Sequence, residues 1–257
     1  MYQIVKKEEI EVLRRARDVF YINANFNENY FILYGMDFTD FVRCNPVDLD
    51  NILVTDGNLS GNNFNKTLLL ETINGKERIL NISKEDIYGL GNFHWIDYDN
   101  EVDLDNCSPE EKAEILFLSH FCKPLKSAFF ERLHNNFVYL AHDDGWFCKL
   151  YCRDIGLFKE LLSNRIINSF SIDKRRKIYP ISENIQSEIF GLTNRGLLID
   201  FPNIRTDDKN ISVNFYTIGK YEDMDAMVDN LEQKKHSAKV KGTIEYKNKI
   251  WSICTLD

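Results

Sequence analysis

The period of apolar and polar positions changes along this chain, and the changes mark out its elements. Within residues 7–18, Ile10, Leu13 and Ala16 share one face with charges elsewhere, which predicts an amphipathic helix. Residues 19–24 and 30–36 alternate in the manner of strands around the polar turn 25–29. A short helical turn over 37–44 and a strand over 51–55 follow, and Asp56-Gly57 with Ser60-Gly61 marks a loop. The segment 67–82 reads as a hairpin closed by Asn74-Gly75, because that dipeptide supplies the positive φ angles of a type I′ turn. A short helix capped by Ser83 is expected over 84–90.

The most informative stretch runs from Phe93 to Cys152. Ser108-Pro109-Glu110-Glu111 is a strong helix start: Ser108 caps, Pro109 takes the first turn and Glu111 completes a capping box. That helix extends to Phe121, and a second is expected from Pro124 to about His134. Residues 137–142 and 146–152 form a hairpin across Asp143-Asp144-Gly145. A helix over 153–167 carries Ile155, Phe158, Leu161 and Leu162 on its apolar side.

Beyond the basic run at 173–177 the pattern reads helix 182–194, strands 197–201 and 211–218, helix 222–235, then strands 238–246 and 249–255. The expectation is an α+β fold of helices and antiparallel β-hairpins ending in an α-β-β-α-β-β part. Residues 1–170 form the core domain and 171–257 a smaller C-terminal subdomain.

Composition narrows the function classes. Of 257 residues, 44% are hydrophobic and 28% charged, values of an ordinary globular chain able to bury a core. The net charge of −8 opposes binding to a phosphate backbone and favours a cationic partner. No apolar run approaches the ~20 residues that span a bilayer, so no membrane role is expected. The start MYQIVKKEEIEVLRR is charged at once, which predicts no secretory leader. A cytoplasmic protein with reduced thiols at positions 44, 107, 122, 148, 152 and 254 follows.

Two constellations carry candidate chemistry. The first is a ladder of carboxylates at period two: Asp97, Asp99, Glu101, Asp103 and Asp105. It is not an EF-hand loop, since the sixth position is Val102 where glycine is needed and the twelfth is Ser108 where a bidentate Glu is needed. It reads as a solvated acidic connection or as an acidic surface for a cationic partner. The second is the turn His142-Asp143-Asp144-Gly145, in which a His beside two carboxylates is suited to general-base work or to a divalent metal. Asp-Gly is equally the ordinary chemistry of a hairpin turn.

Other groupings are weaker. His94, His120, His134 and His142 lie near Cys107, Cys122, Cys148 and Cys152 in sequence, but Cys148 and Cys152 are ~13 Å apart along a strand, too far for one zinc ion. His120 and Cys122 sit at i, i+2 on one helix and face apart, so a cysteine nucleophile needs a more distant partner. Lys174-Arg175-Arg176-Lys177 reads as a solvated linker or a partner of the ladder. No P-loop, G-x-G-x-x-G, G-x-S-x-G or H-E-x-x-H is present, so no metal and no cofactor are expected.

The segments GNFHWIDYDNEVDLDN, PEEKAEILFLSHFCKPL and NNFVYLAHDDGWFCKLYCRD, continued by RRKIYP, GLLIDF and IGKYEDMDAM, resemble an uncharacterised protein family of Gram-positive spore-forming bacteria. The resemblance covers residues 90–257. Members of that family have carried the label "oxalate:formate antiporter", which this sequence contradicts for want of membrane-spanning helices. The resemblance implies a globular second two-thirds and brings no site residues.

The reading is therefore a non-catalytic intracellular protein-binding module, in one form an immunity or antitoxin inhibitor of a basic partner. The alternatives are a metal-assisted hydrolase centred on His142, Asp143 and Asp144, and a regulatory protein that binds a small ligand between its two parts.

Overall fold

A computed structural model describes residues 19–56, 64–65, 70–82, 93–99, 107–142, 147–171, 177–207 and 210–256. The helices expected over 7–18 and 84–90, the loop at 57–63 and residues 174–176 of the basic run lie outside the described residues. In chain order the elements are β1 (Phe20–Asn25), β2 (Tyr30–Tyr34), α1 (Phe38–Cys44), β3 (Asn51–Asp56), β4 (Phe64–Asn65), β5 (Leu70–Asn74), α2 (Lys76–Ile82), β6 (His94–Asp97), α3 (Pro109–Phe121), β7 (Phe137–His142) and β8 (Phe147–Cys152). They continue as α4 (Ile155–Phe170), α5 (Glu183–Thr193), β9 (Leu197–Ile199), β10 (Arg205–Thr206), β11 (Asn210–Thr217), α6 (Met224–Asp229), α7 (Leu231–Ser237), β12 (Lys241–Lys247) and β13 (Ile250–Leu256). The fold is α+β, with antiparallel pairing between strands.

The chain divides into two compact units. The first comprises Phe26–Phe31 and Met36–Leu161. Its strands lie in the order β8-β7-β6-β3-β5-β4. Alternation along β6, β7 and β8 gives the sheet two different faces. Trp95, Tyr139 and Phe137 occupy one, where Trp95 stacks on Tyr139 at 5.4 Å and Phe41 of α1 meets Trp95 at 5.1 Å and Phe137 at 5.4 Å. Phe38 closes the cluster against Phe93 at 5.0 Å. These rings are almost wholly buried, and removing one from such a site costs about 3–5 kcal/mol. The opposite face carries His94, Leu140, Lys149 and Tyr151, set in cross-strand rows by the pairs His94↔Leu140 and Leu140↔Lys149.

The second unit comprises the described parts of Met1–Asn25, Ile32–Gly35 and Leu162–Asp257. Its sheet order is β13-β12-β11-β9-β1. Phe20, Ile199, Phe215, Val213, Ile244 and Trp251 fill the inner face. Trp251 donates its indole N–H to the Tyr179 carbonyl at 2.7 Å and packs on Phe170 of α4 at 5.0 Å. The expected α-β-β-α-β-β order is present with two additions, the short strand β10 between β9 and β11 and a break of the second helix into α6 and α7 at Asn230. Gly196 is required here: its φ is +70°, and a Cβ would lie 1.7 Å from the Gly219 carbonyl oxygen.

Two expected elements differ. The segment after Asn74-Gly75 is helix α2, not the return arm of a hairpin. Gly75 does take a positive φ, of 95°, but its carbonyl accepts from the N–H groups of Arg78 and Ile79 and so opens a helix. Ile79 and Ile82 are buried one turn apart, a helical spacing that the Asn-Gly signal masked. Residues 124–134 form turns rather than a helix. Here the buried Asn135 side chain accepts from the Phe130 N–H at 2.8 Å and donates to the Ala128 carbonyl at 3.1 Å, giving the backbone partners that a helix would have supplied. Ile155, placed on the apolar side of its helix, is exposed at the first turn of α4.

Candidate functional site

Asp97 and Asp99 leave the end of β6 toward one recess. The Asp97 carboxylate is buried and accepts from the Asn136 N–H at 3.0 Å and from the Phe137 N–H at 2.6 Å. Burial pushes its pKa up to about 6, against the pull of those hydrogen bonds. Asp97 is therefore a latch on the chain entering β7. Asp99 is exposed, and its backbone N–H donates to the Leu133 carbonyl at 3.2 Å. Glu101, Asp103 and Asp105 lie outside the described residues.

The recess has a volume of about 170 Å³, and four of its lining side chains are the carboxylates Asp48, Asp50, Asp97 and Asp99. Asp48 and Asp50 arrive from the loop before β3. That loop is fixed where Gly75 donates to the Asp50 carbonyl at 2.7 Å and Tyr98 donates its N–H to the Asn51 carbonyl at 3.2 Å. Asp48 also pairs with Lys76 at 2.6 Å, both side chains being exposed. His134, in the left-handed region at φ 49°, lines the same hollow with Asn136. Sequence reading found the Asp97–Asp99 part of this wall. It missed Asp48 and Asp50, because only the β3–β6 pairing, with Ile52 opposite Asp97, brings the two stretches together.

His142 closes β7 opposite Phe147 and stacks on that ring at 5.0 Å. Its Nε2 is buried and, among the described residues, has no hydrogen-bond partner. Burial first, then the neighbouring His94 and Lys149, lowers its pKa to about 4, so the ring is neutral at pH 7. Such a ring is a weak base at neutral pH. Asp143 and Asp144 lie outside the described residues.

A third grouping was not legible from sequence spacing. His94 is buried, with Nδ1 3.0 Å from the Ser119 carbonyl oxygen and Nε2 2.9 Å from that of Ala141. Its ring joins the C-terminal end of α3 to β7. A neutral imidazole carries one N–H and can donate to only one of these carbonyls at a time. Cys122, left-handed at φ 50° where α3 ends, has its Sγ 3.9 Å from the same Nε2. The histidine beside Cys122 is thus His94, not His120. Cys148 and Cys152 lie on the sheet face opposite His94, and burial raises each thiol pKa to about 12, which leaves both inert at neutral pH. Among the described residues no three His, Cys, Asp or Glu side chains converge to hold a metal ion.

No family model, curated protein or solved structure matches this chain. Among the described residues, no helix is long and apolar enough to cross a membrane.

Proposed function

We propose that the protein is a non-catalytic, cytoplasmic binding module whose acidic recess receives a cationic side chain of a basic protein partner. An immunity or antitoxin role is one form of this reading. The observation that carries it is the assembly of Asp48, Asp50, Asp97 and Asp99 around one hollow on a chain of net charge −8. Asp97 spends its hydrogen bonds on Asn136 and Phe137, so the exposed Asp50 and Asp99 supply the attraction, with Asp48 joining them in competition with Lys76. Carboxylates lining a concave wall focus the field and speed encounter with a basic surface. The hollow is large enough for the end of one lysine or arginine side chain and too small for a folded element.

The test is copurification from the native cell with wild type and with Asp48→Lys/Asp50→Lys/Asp99→Lys. Retention of a basic partner by wild type, lost in the variant and weakened by salt, is the expected result. Equal retention by both sinks the proposal.

The second reading, a metal-assisted hydrolase centred on His142, Asp143 and Asp144, is favoured by one observation. The His142 ring is neutral and its Nε2 has no partner among the described residues, and neutral imidazole is the form that binds metals. Elemental analysis of tag-free protein separates the two. A stoichiometric divalent metal lost in His142→Ala supports hydrolysis and displaces the plain binding reading.

A further inference from the structure

β13 is the last strand of the second unit's sheet, and among the described residues it pairs with β12 alone. Among the described residues, its outer side therefore has no strand partner for its row of backbone N–H and C=O groups. Edge strands are ordinarily kept from pairing by charge, proline, a bulge or brevity. β13 has none of these. It runs seven residues as Ile-Trp-Ser-Ile-Cys-Thr-Leu, in unbroken register with β12 from Ile250 to Leu256, and carries no charge and no proline. Two of its side chains, Ile250 and Leu256, are 67% and 62% exposed, among the most exposed large apolar groups of the described residues.

We infer that β13 pairs antiparallel with β13 of a second copy, about a two-fold axis through Ile253, to form a homodimer with one continuous sheet. The choice of a second copy rests on self-complementarity. A strand laid against itself about Ile253 sets Ile250 opposite Leu256 of the other copy at both ends, and Ser252 opposite Cys254 at two positions between. Ile250, Ser252, Cys254 and Leu256 share one face of the sheet by the two-residue alternation, so both apolar matches form on the same side. A two-fold seam repeats each contact, so the match is made twice. The chain is strongly acidic, yet nothing charged lies along this strand, and the seam brings no carboxylates together. Seven residues of strand span roughly 24 Å, a small contact by the standard of stable interfaces. The dimer is accordingly a reversible one that forms in the micromolar range or above.

The full-length chain is studied by sedimentation velocity across a concentration series. Wild type is expected to move from monomer to dimer as concentration rises. Ser252→Lys/Cys254→Lys sets like charges opposite each other at two positions and is expected to weaken the dimer at least about tenfold. Ser252→Asp/Cys254→Lys sets opposite charges there and is expected to restore it. Because all these side chains lie on the solvent face of an edge, each variant keeps the far-UV circular dichroism of the wild type. In Ser252→Cys, the new thiol faces Cys254 of the other copy at a Cα separation of about 4.5–5.5 Å, within disulfide range. Oxidised glutathione, reduced to two thiols as one interchain S–S bond forms, converts this variant to a covalent dimer. A chain that stays monomeric at every concentration overturns the inference. So does a dimer indifferent to the lysine pair, or one in which Ser252→Cys gives no cross-link, since either assigns the contact to another surface or register. Binding of a foreign peptide to β13 while the chain stays monomeric also counts against it.

Discussion

Asp97 and His142 titrate in the same pH window with opposite consequences for stability, and the opposition can be measured. Burial moves the Asp97 pKa from 3.8 to about 6. A carboxyl that is harder to ionise in the folded state stabilises the fold while protonated. Its contribution is fully present below pH 3.8 and is lost as pH rises through about 6. The shift of roughly two units corresponds to about 3 kcal/mol at 1.36 kcal/mol per unit. The His142 pKa moves the other way, from 6.5 to about 4. Its contribution is present above pH 6.5 and is lost as pH falls through about 4, by a similar amount, about 2–3 kcal/mol once partial solvent contact is discounted. In wild type the two slopes largely cancel between pH 4 and 6.5. Asp97→Asn removes one and leaves the other, so its stability should climb by about 2–3 kcal/mol relative to its own value at pH 4. His142→Gln should fall by about 2 kcal/mol over the same interval. Urea unfolding followed by far-UV circular dichroism at a series of pH values gives both difference curves against wild type, in which all other titrating groups cancel. If both variants track the wild-type profile within experimental error, the burial argument for these two groups fails.

Further expectations concern stability. Lys235 is buried and donates to Asp200 at 3.0 Å and to the exposed Glu232 at 2.9 Å. Lys235→Met strands the buried Asp200 charge and should cost about 3–5 kcal/mol, whereas Glu232→Gln should cost under about 1 kcal/mol in the same denaturant titration. Ser108→Ala removes the side chain that accepts from the Glu111 N–H at 3.1 Å, and should lower unfolding free energy by about 1 kcal/mol. Gly196→Ala forces a Cβ against the Gly219 carbonyl in a left-handed backbone, and should lower Tm in a thermal scan by more than Ser108→Ala does.

Local patterns in the sequence held at α3 and along β7 and β8, where one local signal had no competitor. The capping box at Ser108 and Glu111 is formed by reciprocal bonds of 3.1 and 2.9 Å, and α3 ends at Phe121 as its apolar spacing implies. The hairpin of β7 and β8 pairs Phe137 with Cys152 and His142 with Phe147 across the expected turn. Where two signals competed, the chain followed the less obvious one. At Asn74-Gly75 the turn dipeptide was real, but the helical spacing of Ile79 and Ile82 decided what came after it. Over 124–134 ordinary helical propensity lost to one side-chain amide, that of Asn135, which no period in the sequence announces. The candidate site was half legible for a different reason. Asp97 and Asp99 are neighbours in sequence and declare themselves, while Asp48 and Asp50 join them only through strand pairing at a separation of about fifty residues. The same holds for His94 and Cys122, twenty-eight residues apart and joined by the packing of α3 on the sheet.

The Asp97 latch has a consequence for how this surface can change over generations. Its two shortest bonds go to main-chain N–H groups of Asn136 and Phe137, and Asn135 likewise holds Phe130 and Ala128 through their main chains. Any residue except proline offers the same N–H. These two holds on the loop beside the recess therefore do not depend on the side chains at exposed positions such as Glu131 and Arg132, whereas His134 keeps a left-handed φ of 49°. Single substitutions at those positions would alter the rim and inherit an unaltered main-chain hold.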